Sequence, residues 1–169
     1  GRLDVLVNNA GILRFAAVTD IDAEEMQQIL GINLFGVTFG MKHGIPLMKR
    51  GGGGSIVNLS STEGLGGTLF CGAYTASKFA AVGFSEGLST ELRTKGVRVT
   101  TVVPGLMRTG SHRNAQFKGD AEREYRWFSL AASLPGVSIA AHRAARKIVQ
   151  AIDVGREEVT VTPQAFVIS

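Results

Sequence analysis

Tyr74 and Lys78 form a candidate proton-transfer pair, four residues apart in the stretch YTASK. A tyrosine phenol has an ordinary pKa near ~10, so at neutral pH it is a poor base and a weak acid. Residues four apart on a helix have Cβ atoms ~5–6 Å apart, and a lysine ammonium at that distance lowers the pKa of the phenol. The spacing therefore predicts a proton donor and acceptor, but an ordinary surface pair has the same spacing, and the two residues alone do not decide between them.

Strands that alternate with helices would hold this pair in place. The strands are predicted at residues 3–9, 55–61, 96–105 and 157–163, and the helices at 22–50, 73–94 and 138–153. This alternation predicts right-handed crossovers and a parallel sheet with helices on both faces. Ligands of such sheets bind beyond the carboxyl ends of the strands, so the residues that follow each strand are the candidates for a site.

The first predicted helix has recognisable signals at both ends. Asp22 as the N-cap, with Glu25 three residues later, forms a capping-box pattern. The last helical residues are basic, which suits a helix C-terminus, and four glycines follow at 51–54. We therefore predict one continuous helix over 22–50 and a loop at the glycines.

Three short motifs follow the predicted strands. NNAG lies at 8–11 after the first strand, Ser60 and Ser61 follow the second, and PGLMRT lies at 104–109 after the third. Each motif alone is compatible with an ordinary turn. Together they place small and hydroxyl-bearing residues at successive strand ends, where glycine lets a ligand approach the backbone closely. The three motifs therefore predict a ligand site at one edge of the sheet.

In combination, these motifs resemble the short-chain dehydrogenase/reductase family. NNAG, a serine thirteen residues before the tyrosine, the Tyr-x-x-x-Lys motif and Pro-Gly followed by a threonine all occur in the family's order. The resemblance is close over residues 3–110 and loose over the remainder. It implies an α/β fold, the C-terminal part of a Rossmann-like, doubly wound parallel sheet in a three-layer α/β/α sandwich. Residues 1–169 would form a single, partial NAD(P)-binding domain.

The resemblance assigns roles to four residues. Tyr74 is implied as the catalytic acid/base, and Lys78 as its activator and as a group that binds the cofactor ribose. Ser61, rather than Ser60, has the family's spacing to Tyr74 and is implied to hydrogen-bond the substrate oxygen. Asn33 matches the helix asparagine that holds a water in a proton relay. The implied reaction is hydride transfer between NAD(P)(H) and a secondary alcohol or ketone.

The resemblance also implies that the cofactor is NAD or NADP. Its binding residues are implied to be Asn9, Ala10, Gly11, Tyr74, Lys78, Pro104, Gly105 and Thr109. In this fold, an acidic or basic residue after the second strand selects between the two cofactors. The sequence has no segment that corresponds to that strand, so the cofactor preference cannot be read from it.

The family's glycine-rich turn between its first strand and first helix has no counterpart in this sequence. The glycines at 51–54 lie between a helix and the following strand, at the wrong end of the sheet for phosphates. We therefore expect a fragment that lacks roughly 80 residues of a longer enzyme, since a βαβ unit takes ~30 or more. The edge of the strand at 3–8 would be bare, and we expect residues 1–169 alone to be aggregation-prone and nearly inactive.

The segment after Pro104 is where family members differ to fit their substrates. Four of its residues are aromatic or apolar and are expected to form a lid or wall: Tyr125, Trp127, Phe128 and Leu130. The basic or titratable residues of this segment are interpreted as a solvated loop: Arg108, His112, Arg113 and Lys118. Glu63, after the second predicted strand, is also interpreted as a solvated loop residue. We therefore expect a small hydrophobic alcohol or ketone as the substrate.

The composition excludes several other classes of protein. A hydrophobic content of 44% excludes a disordered chain, and 18 basic against 14 acidic residues is too mild an excess to predict a nucleic-acid partner. A single cysteine fits a reducing compartment, so a cytoplasmic location is expected. No apolar run approaches the ~18 residues of a membrane span. His43 and His112 lack partners at metal-ligand spacing, and no metal is expected.

Two alternatives to this enzyme remain open. A catalytically inactive nucleotide-sensing or scaffold relative would keep the fold, although such a protein is expected to lose the tyrosine or the lysine. A sugar-nucleotide epimerase or dehydratase of the related extended family shares Tyr-x-x-x-Lys, but NNAG and the short region after Pro104 disfavour it. The Gly, Ala and Leu faces of the helices that begin near Asp22 and Ala73 suit a partner subunit, so we expect a homodimer or homotetramer of the whole enzyme.

Overall fold

The computed structural model describes residues 1–162 and contains eight strands and five α-helices within them. The strands are β1 (Val5–Asn8), β2 (Arg14–Phe15), β3 (Gly54–Leu59), β4 (Val97–Val103), β5 (Met107–Arg108), β6 (Gln116–Phe117), β7 (Ile139–Ala140) and β8 (Glu158–Thr160). The helices are α1 (Ala23–Leu30), α2 (Gly36–Arg50), α3 (Gly72–Leu92), α4 (Ala121–Ser133) and α5 (Ala141–Asp153). A π-helical turn, Gly31–Phe35, joins α1 to α2, and 3₁₀ turns cover Thr62–Gly64, Arg93–Lys95 and Ser111–Asn114.

Four strands form the central sheet, in the order β1-β3-β4-β8 with all neighbours parallel. The chain returns from each strand to the next through helices: α1 and α2 after β1, α3 after β3, and α5 before β8. Parallel pairing requires such crossovers, because the chain must return to the same end of the sheet. The predicted fold class, a Rossmann-like α/β sheet, is confirmed.

Helices cover both faces of this sheet and produce two separate cores. One core lies against α2 and α3 and contains Val37, Met41, Met48, Ile56, Leu92, Val97 and Val99. The other lies against α5 and contains Val57, Val102, Ala144, Ala151, Val159 and Val161. Ile56 and Val57 are neighbours in β3 and belong to opposite cores, because successive strand residues point to opposite faces. The three layers are therefore present, while a single domain over 1–169 stays a prediction.

The helix predicted over 22–50 is divided by the π-helical turn. Its start is as predicted: the Asp22 carboxylate accepts from the Glu25 N–H over 2.8 Å, and the Glu25 carboxylate accepts from the Asp22 N–H over 3.2 Å. The turn Gly31–Phe35 carries Asn33, which is fully buried. A π turn adds one residue to one helical turn and is frequent at functional sites, but so small an insertion leaves the apolar spacing almost unchanged. The sequence pattern therefore did not reveal it.

The glycines before β3 allow two loops to cross closely. Gly53 has a φ of +133°, and a Cβ at that position would lie 2.5 Å from the carbonyl oxygen of Gly96. A side chain would therefore be strained and would also clash with backbone. The loop predicted at the glycines is present at 51–53, whereas Gly54 is the first residue of β3.

The segment between β4 and α5 contains more regular structure than the sequence indicated. β5 pairs with β7 and β2 pairs with β6, each as a separate two-stranded parallel ladder, and α4 lies within the same segment. These strands are two residues long, which is too short for a period of two to be seen in the sequence. The helix predicted from 138 begins at Ala141, because the two residues before it form β7.

β8 occupies only part of the last predicted strand. The prediction covered 157–163, and the strand runs over Glu158–Thr160. Residue 163 lies outside the residues that the structure describes.

β1 is an edge strand of the sheet formed by residues 1–162. Val5 and Val7 on this strand are 50% and 54% exposed, while Leu6 between them packs against the core at α2. An unpaired edge with exposed apolar side chains is a template for association between chains. The predicted bare edge is thus present, and the aggregation expected from it stays a prediction.

Candidate active site

The carboxyl ends of β3 and β4 bring two of the predicted site segments together. The Ser60 N–H donates to the carbonyl of Val102 over 2.8 Å, and the Thr62 N–H donates to the carbonyl of Pro104 over 2.9 Å. These bonds continue the strand pairing past the ends of both strands. They hold the loop that contains Ser61 beside the residues that follow β4.

Lys78 is buried close to the ring of Tyr74. The residue is 4% exposed, and its Nζ donates to the carbonyl of Leu59, the last residue of β3, over 2.9 Å. Nζ lies 5.6 Å from the centre of the Tyr74 ring. None of the ion pairs within residues 1–162 includes Lys78. The charge of this ammonium is therefore not neutralised by a carboxylate at the site.

The two adjacent serines have different surroundings. The Ser61 side chain interacts with the Tyr74 phenol and lowers its pKa, and its Oγ accepts from the Glu63 N–H over 3.2 Å. Ser60 is buried, and its hydroxyl donates to the carbonyl of Lys78 over 3.1 Å. Ser61 is thus the serine beside the phenol, as its spacing predicted, while Ser60 attaches the loop to α3.

The Tyr74 phenol is held in its neutral form. Burial raises the pKa of Tyr74 to about 12, the interaction with Ser61 opposes this rise, and the charges of Glu63 and Cys71 add to it. Burial acts in this direction because a phenolate loses its hydration. The predicted lowering of this pKa by Lys78 is therefore wrong for the structure. Burial is the largest cause of the rise, and the ammonium of Lys78 is bonded to a backbone carbonyl rather than to the phenol.

The ammonium of Lys78 is also affected by burial. Burial lowers the pKa of Lys78 from its ordinary 10.5 to about 8. The side chain is therefore charged below that pH and neutral above it. An ammonium has three N–H donors, and one of them is bonded to Leu59. Two donors remain for an acceptor at the site.

Asn33 connects the loop after β1 to the helix that carries Tyr74. Its Oδ1 accepts from the Ile12 N–H over 2.8 Å, and its Nδ2 donates to the Ile12 carbonyl over 3.0 Å and to Ser77 Oγ over 3.0 Å. The Ser77 hydroxyl in turn donates to the carbonyl of Tyr74 over 2.6 Å. The side chain of Asn33 therefore orders the site, and its role in holding a water stays a prediction.

Ser77 is a site residue that the sequence interpretation missed. It is fully buried and links Asn33 to Tyr74. Its position three residues after Tyr74 was the available signal, because residues three apart lie on the same side of a helix.

Glu63 was interpreted as a solvated loop residue, and this interpretation is wrong. Its carboxylate accepts from the Thr68 N–H over 3.1 Å, from the Thr68 hydroxyl over 2.9 Å and from the Thr75 hydroxyl over 2.8 Å. These bonds attach the loop after Ser61 to the first turn of α3. A negative charge is thereby fixed near the Tyr74 phenol.

The residues after β1 leave open space beside the buried ammonium. Asn9, Ala10 and Gly11 are exposed. A Cβ at Gly11 would lie 3.4 Å from Asn33 Oδ1 and 3.6 Å from Lys78 Nζ. The glycine therefore keeps this approach to Nζ free of a side chain. An accessible backbone beside two unused N–H donors fits a hydroxyl-rich group such as a ribose.

The residues that follow β4 are only partly at the site. Pro104 is joined to the Ser61 loop through Thr62, whereas the Gly105 N–H is occupied by Thr162 Oγ1 at 2.9 Å. Thr109 is exposed, and its N–H donates to the carbonyl of Met107 over 2.9 Å. The structure thus places Pro104 and Gly105 at the correct edge of the sheet, while Thr109 lies in the turn that follows β5.

Arg108, Arg113 and Lys118 are exposed, as predicted, whereas His112 is half-buried; two of the exposed residues make specific contacts. Arg108 donates to the carbonyl of Ser138 over 2.6 Å and to its hydroxyl over 2.9 Å. Lys118 donates to the carboxylate of Glu25 over 2.6 Å. Both contacts attach the segment to other parts of the chain.

Four rings form an aromatic cluster between β2, β6 and α4. Phe15 stacks on Phe117 at 5.0 Å, Phe128 lies edge-on to Phe15 at 5.4 Å, and Tyr125 lies edge-on to Phe117 at 6.1 Å. Two of the four predicted wall residues, Tyr125 and Phe128, therefore belong to this cluster. The other two, Trp127 and Leu130, lie outside the cluster and are 66% and 52% exposed, so their part in a lid or wall stays a prediction.

Neither a metal site nor a membrane span is found in the part of the chain that the structure describes. Within residues 1–162, no three His, Cys, Asp or Glu side chains are grouped so that they could hold a metal ion. In the same residues, no helix is both long enough and apolar enough to cross a membrane.

Comparison with known proteins shows the family. The family model described as short chain dehydrogenase matches residues 1–118. That match covers more than half of the chain, and it includes the loop after β1, both serines, Tyr74 and Lys78. The chain belongs to the short-chain dehydrogenase family.

Individual relatives agree with this assignment. The chain is 48% identical over 109 residues to the 3-alpha-(or 20-beta)-hydroxysteroid dehydrogenase of Mycobacterium tuberculosis. The aligned region covers 64% of this chain and 42% of the relative. The chain thus spans less than half the length of this curated relative.

Two solved structures resemble nearly the whole chain. A short-chain dehydrogenase from Streptomyces avermitilis superposes with a TM-score of 0.83 at 30% identity, over 99% of this chain and 64% of that chain. A short chain dehydrogenase from Burkholderia cenocepacia, solved in complex with NADP, has a TM-score of 0.77 at 29% identity, over 98% of this chain and 62% of that chain.

Proposed function

We propose that the protein is an NAD(P)-dependent oxidoreductase that interconverts a secondary alcohol and a ketone, with Tyr74 as the acid/base. The observation that carries this proposal is the buried ammonium of Lys78, 5.6 Å from the centre of the Tyr74 ring, with Ser61 beside the phenol. An ordinary surface pair of tyrosine and lysine has no reason to be buried or to meet a serine hydroxyl. The family match supports the same reaction class.

Tyr74 and Ser61 act together on the substrate oxygen in this proposal. In ketone reduction, Tyr74 Oη donates its proton to the carbonyl oxygen. With a pKa of about 12, Tyr74 carries that proton throughout the neutral range, so the donor form is fully populated. The Ser61 hydroxyl donates to the same oxygen and stabilises the negative charge that develops there.

Lys78 and Asn33 support the proton donor. Lys78 carries a positive charge below its pKa of about 8, and this charge near the ring favours negative charge on Oη as the proton leaves. The same interaction helps Oη to accept a proton during alcohol oxidation. Asn33 keeps α3 aligned with the loop after β1, and we include its water-holding role in the proposal.

NAD or NADP supplies or accepts the hydride when it is bound. The space beside Gly11 and the two unused Nζ–H donors of Lys78 support a cofactor ribose at this position. The relative from Burkholderia cenocepacia supports a nicotinamide cofactor, because it was solved with NADP. The residues that we propose to contact the cofactor are Asn9, Ala10, Gly11, Tyr74, Lys78, Pro104, Gly105 and Thr109.

We propose a hydrophobic alcohol or ketone as the substrate. The aromatic cluster supports this class, since three of its four rings lie in the segment that follows β4 and two of those three are on α4. The relative named as a hydroxysteroid dehydrogenase supports a flat, ring-containing molecule. Progesterone, 5α-dihydrotestosterone and cyclohexanone form a graded panel of ketone probes.

We also propose that the whole enzyme is a cytoplasmic homodimer or homotetramer. Four phenylalanines on or next to α2 and α3 remain between 42% and 54% exposed: Phe35, Phe39, Phe79 and Phe84. Exposed aromatic rings grouped on neighbouring helices are typical of subunit interfaces. The single cysteine fits a reducing compartment.

Replacement of Tyr74 by Phe tests the proposed function. In the full-length protein, Tyr74→Phe should lower kcat for the ketone panel by about 1,000-fold with either NADH or NADPH, because the proton donor is lost. Tyr125→Phe is the matched control, since the chain contains 2 tyrosines, and it should retain kcat within about twofold. A Tyr74→Phe enzyme with undiminished kcat would show that the proposed mechanism is wrong. Residues 1–169 expressed alone should show little turnover.

A further inference from the structure

A two-residue ladder joins the loop after β1 to the segment after β4. β2 and β6 pair so that Arg14 lies opposite Gln116 and Phe15 lies opposite Phe117. The Gln116 N–H donates to the carbonyl of Leu13 over 3.0 Å, and the Lys118 N–H donates to that of Phe15 over 2.9 Å. Two strands of this length contribute too few backbone bonds to be stable alone. Side chains must therefore account for much of the stability of this junction.

The two faces of the ladder carry different chemistry. Successive strand residues point to opposite sides, so Arg14 and Gln116 share one face while Phe15 and Phe117 share the other. The aromatic face packs against Phe128 of α4. The polar face contacts α1. The ladder thus connects α4 to the body of the protein.

Arg14 is the centre of the polar face. The residue is 8% exposed, and its Nε donates to Gln116 Oε1 over 2.8 Å. Its guanidinium also donates to Gln28 Oε1 over 3.2 Å and pairs with Glu25 Oε1 at 3.0 Å. A planar guanidinium has five N–H donors in a fixed fork and can bond side chains on both elements, which a lysine ammonium cannot do with the same geometry. We call Arg14, Glu25, Gln28, Gln116 and Lys118 the Arg14 cluster.

Glu25 is shared between both sides of the junction. Its Oε2 accepts from Lys118 Nζ over 2.6 Å, and the same Nζ donates to the carbonyl of Asp20 over 2.8 Å. The Lys118 hydrogen bond is the largest of the contacts that hold the pKa of Glu25 below its usual value. The carboxylate also caps the first turn of α1. Lys118 is thus bound to the N-terminus of a core helix.

The ladder lies between two contacts that lead to the proposed acid/base. On one side of β2, Ile12 is held by Asn33. On the other side, the Ala16 N–H donates to the carbonyl of Phe70, two residues before α3 begins and four residues before Tyr74. β2 therefore connects α4 and its aromatic cluster to the two segments that hold Tyr74.

We propose that Arg14 is a positioning residue that holds α4 and the aromatic cluster, together called the α4 wall, at the correct distance from Tyr74. Arg14 thereby sets the affinity for large ring-containing ketones. The inference rests on the proposed function. All the contacts named above for Arg14 are made within its cluster, so it acts on the substrate only through β6 and α4. Loss of Arg14 should therefore weaken substrate binding and leave the chemical step unchanged.

A kinetic comparison in the full-length enzyme tests this proposal. Arg14→Met should raise KM for progesterone or 5α-dihydrotestosterone, whichever turns over faster, by about tenfold and change kcat by less than about twofold. Cyclohexanone, which is too small to span the wall, should show a much smaller change in KM. Arg14→Lys should be intermediate, because it retains the pairing with Glu25 and loses the bonds to Gln116 and Gln28.

Lys118→Met provides a second variant with less risk of misfolding, because the Lys118 side chain is 36% exposed. It should raise the same KM by about threefold. Lys95→Met is the matched control: it removes a comparable pair with Glu91, 3.2 Å long, on the opposite end of α3. That control should leave KM and kcat unchanged.

Amide hydrogen exchange provides a measurement that needs no substrate. In Arg14→Met, the amides of 116–133 should exchange at least about tenfold faster than in the parent, while those of β3 and β4 should not change. The proposal is overturned if exchange and KM are both unaltered, or if kcat falls while KM is constant. Undiminished kcat in Tyr74→Phe would overturn the proposed function instead, and the exchange result would still decide whether Arg14 holds α4.

Discussion

The sheet edge that carries Tyr74 and the segment that follows β4 are held by different kinds of contact. At the sheet edge, Lys78 and Ser60 bond to backbone carbonyls, and Asn33 bonds to both backbone groups of Ile12. In the segment after β4, the attachment depends largely on side chains of the Arg14 cluster and on stacked rings.

This difference explains why one region is recognisable in the sequence and the other is not. A backbone carbonyl is present at every residue, so a single correct side chain is sufficient to make each of these bonds to the backbone. A contact between two side chains needs both residues at once, and Arg14 and Gln116 are 102 positions apart. The site edge can therefore be specified by short motifs, whereas the segment after β4 depends on distant pairs.

After Tyr74→Phe, the largest loss of kcat is expected from Ser61→Ala. Loss of the hydroxyl should lower kcat for ketone reduction by about 100-fold, because one of two donors to the substrate oxygen disappears. Ser60→Ala is the matched control and should keep kcat, while chemical denaturation should show an unfolding free energy about 1 kcal/mol lower, since a buried bond to the Lys78 carbonyl is lost. Equal losses of kcat in both variants would contradict the separation of the two serines.

Asn33→Ala should cause the largest loss of stability among these changes. It removes three hydrogen bonds, so both backbone groups of Ile12 lose their partner and Ser77 Oγ loses its donor. Urea unfolding should show a decrease of about 2–4 kcal/mol in the free energy of unfolding. Asn114→Ala, in an exposed 3₁₀ turn, should change it by less than about 0.5 kcal/mol. If both variants changed the free energy of unfolding by a similarly small amount, the Asn33 contacts would not be important for stability.

Lys78 should give opposite pH dependences of activity and stability. Its pKa is lowered from 10.5 to about 8, so kcat/KM for reduction should fall about fivefold between pH 8 and pH 9 as the charge is lost. Between pH 8 and 10, the unfolded state binds the proton that the folded state has released, so the contribution of Lys78 to stability rises with pH. In Lys78→Met both dependences should disappear. The lowered pKa would be contradicted if the parent protein lost stability between pH 8 and 10 and Lys78→Met did not.

The smallest effect is expected from Phe117→Leu in the aromatic cluster. A stacked or edge-on aromatic pair contributes ~0.5–1.5 kcal/mol beyond its buried area, so thermal unfolding should reveal a loss of about 1 kcal/mol. KM for progesterone should rise a few-fold and kcat should not change. Val154→Ala, where the side chain is 65% exposed, should alter neither. A loss of kcat in Phe117→Leu would place this ring at the chemical step rather than in the wall.

Several elements were predicted correctly because their signals are local. The capping box at Asp22 and Glu25 needs only two residues three positions apart. The four strands of the central sheet were recognised from continuous apolar runs, which both faces of a covered parallel sheet require. The location of Ser61 beside the phenol followed from its spacing to Tyr74.

Other elements could not be predicted because their causes are not local. The π-helical turn at Asn33 is one residue longer than an ordinary turn, and the apolar pattern hardly changes. β2, β6 and α4 depend on each other through the Arg14 and aromatic clusters. The solvated interpretation of Glu63 failed because its partners Thr68 and Thr75 are reached only after the loop folds onto α3.

The sequence by itself determined the class of fold, the family and the residue types available for chemistry, since these follow from periodicity and short spacings. Only the tertiary structure decided the state of those residues. The four-residue spacing of Tyr74 and Lys78 predicted a lowered phenol pKa, yet burial raises it to about 12 and lowers that of Lys78 to about 8. Burial and neighbouring charges arise from residues distant in the chain, and a pKa responds to these surroundings rather than to spacing alone.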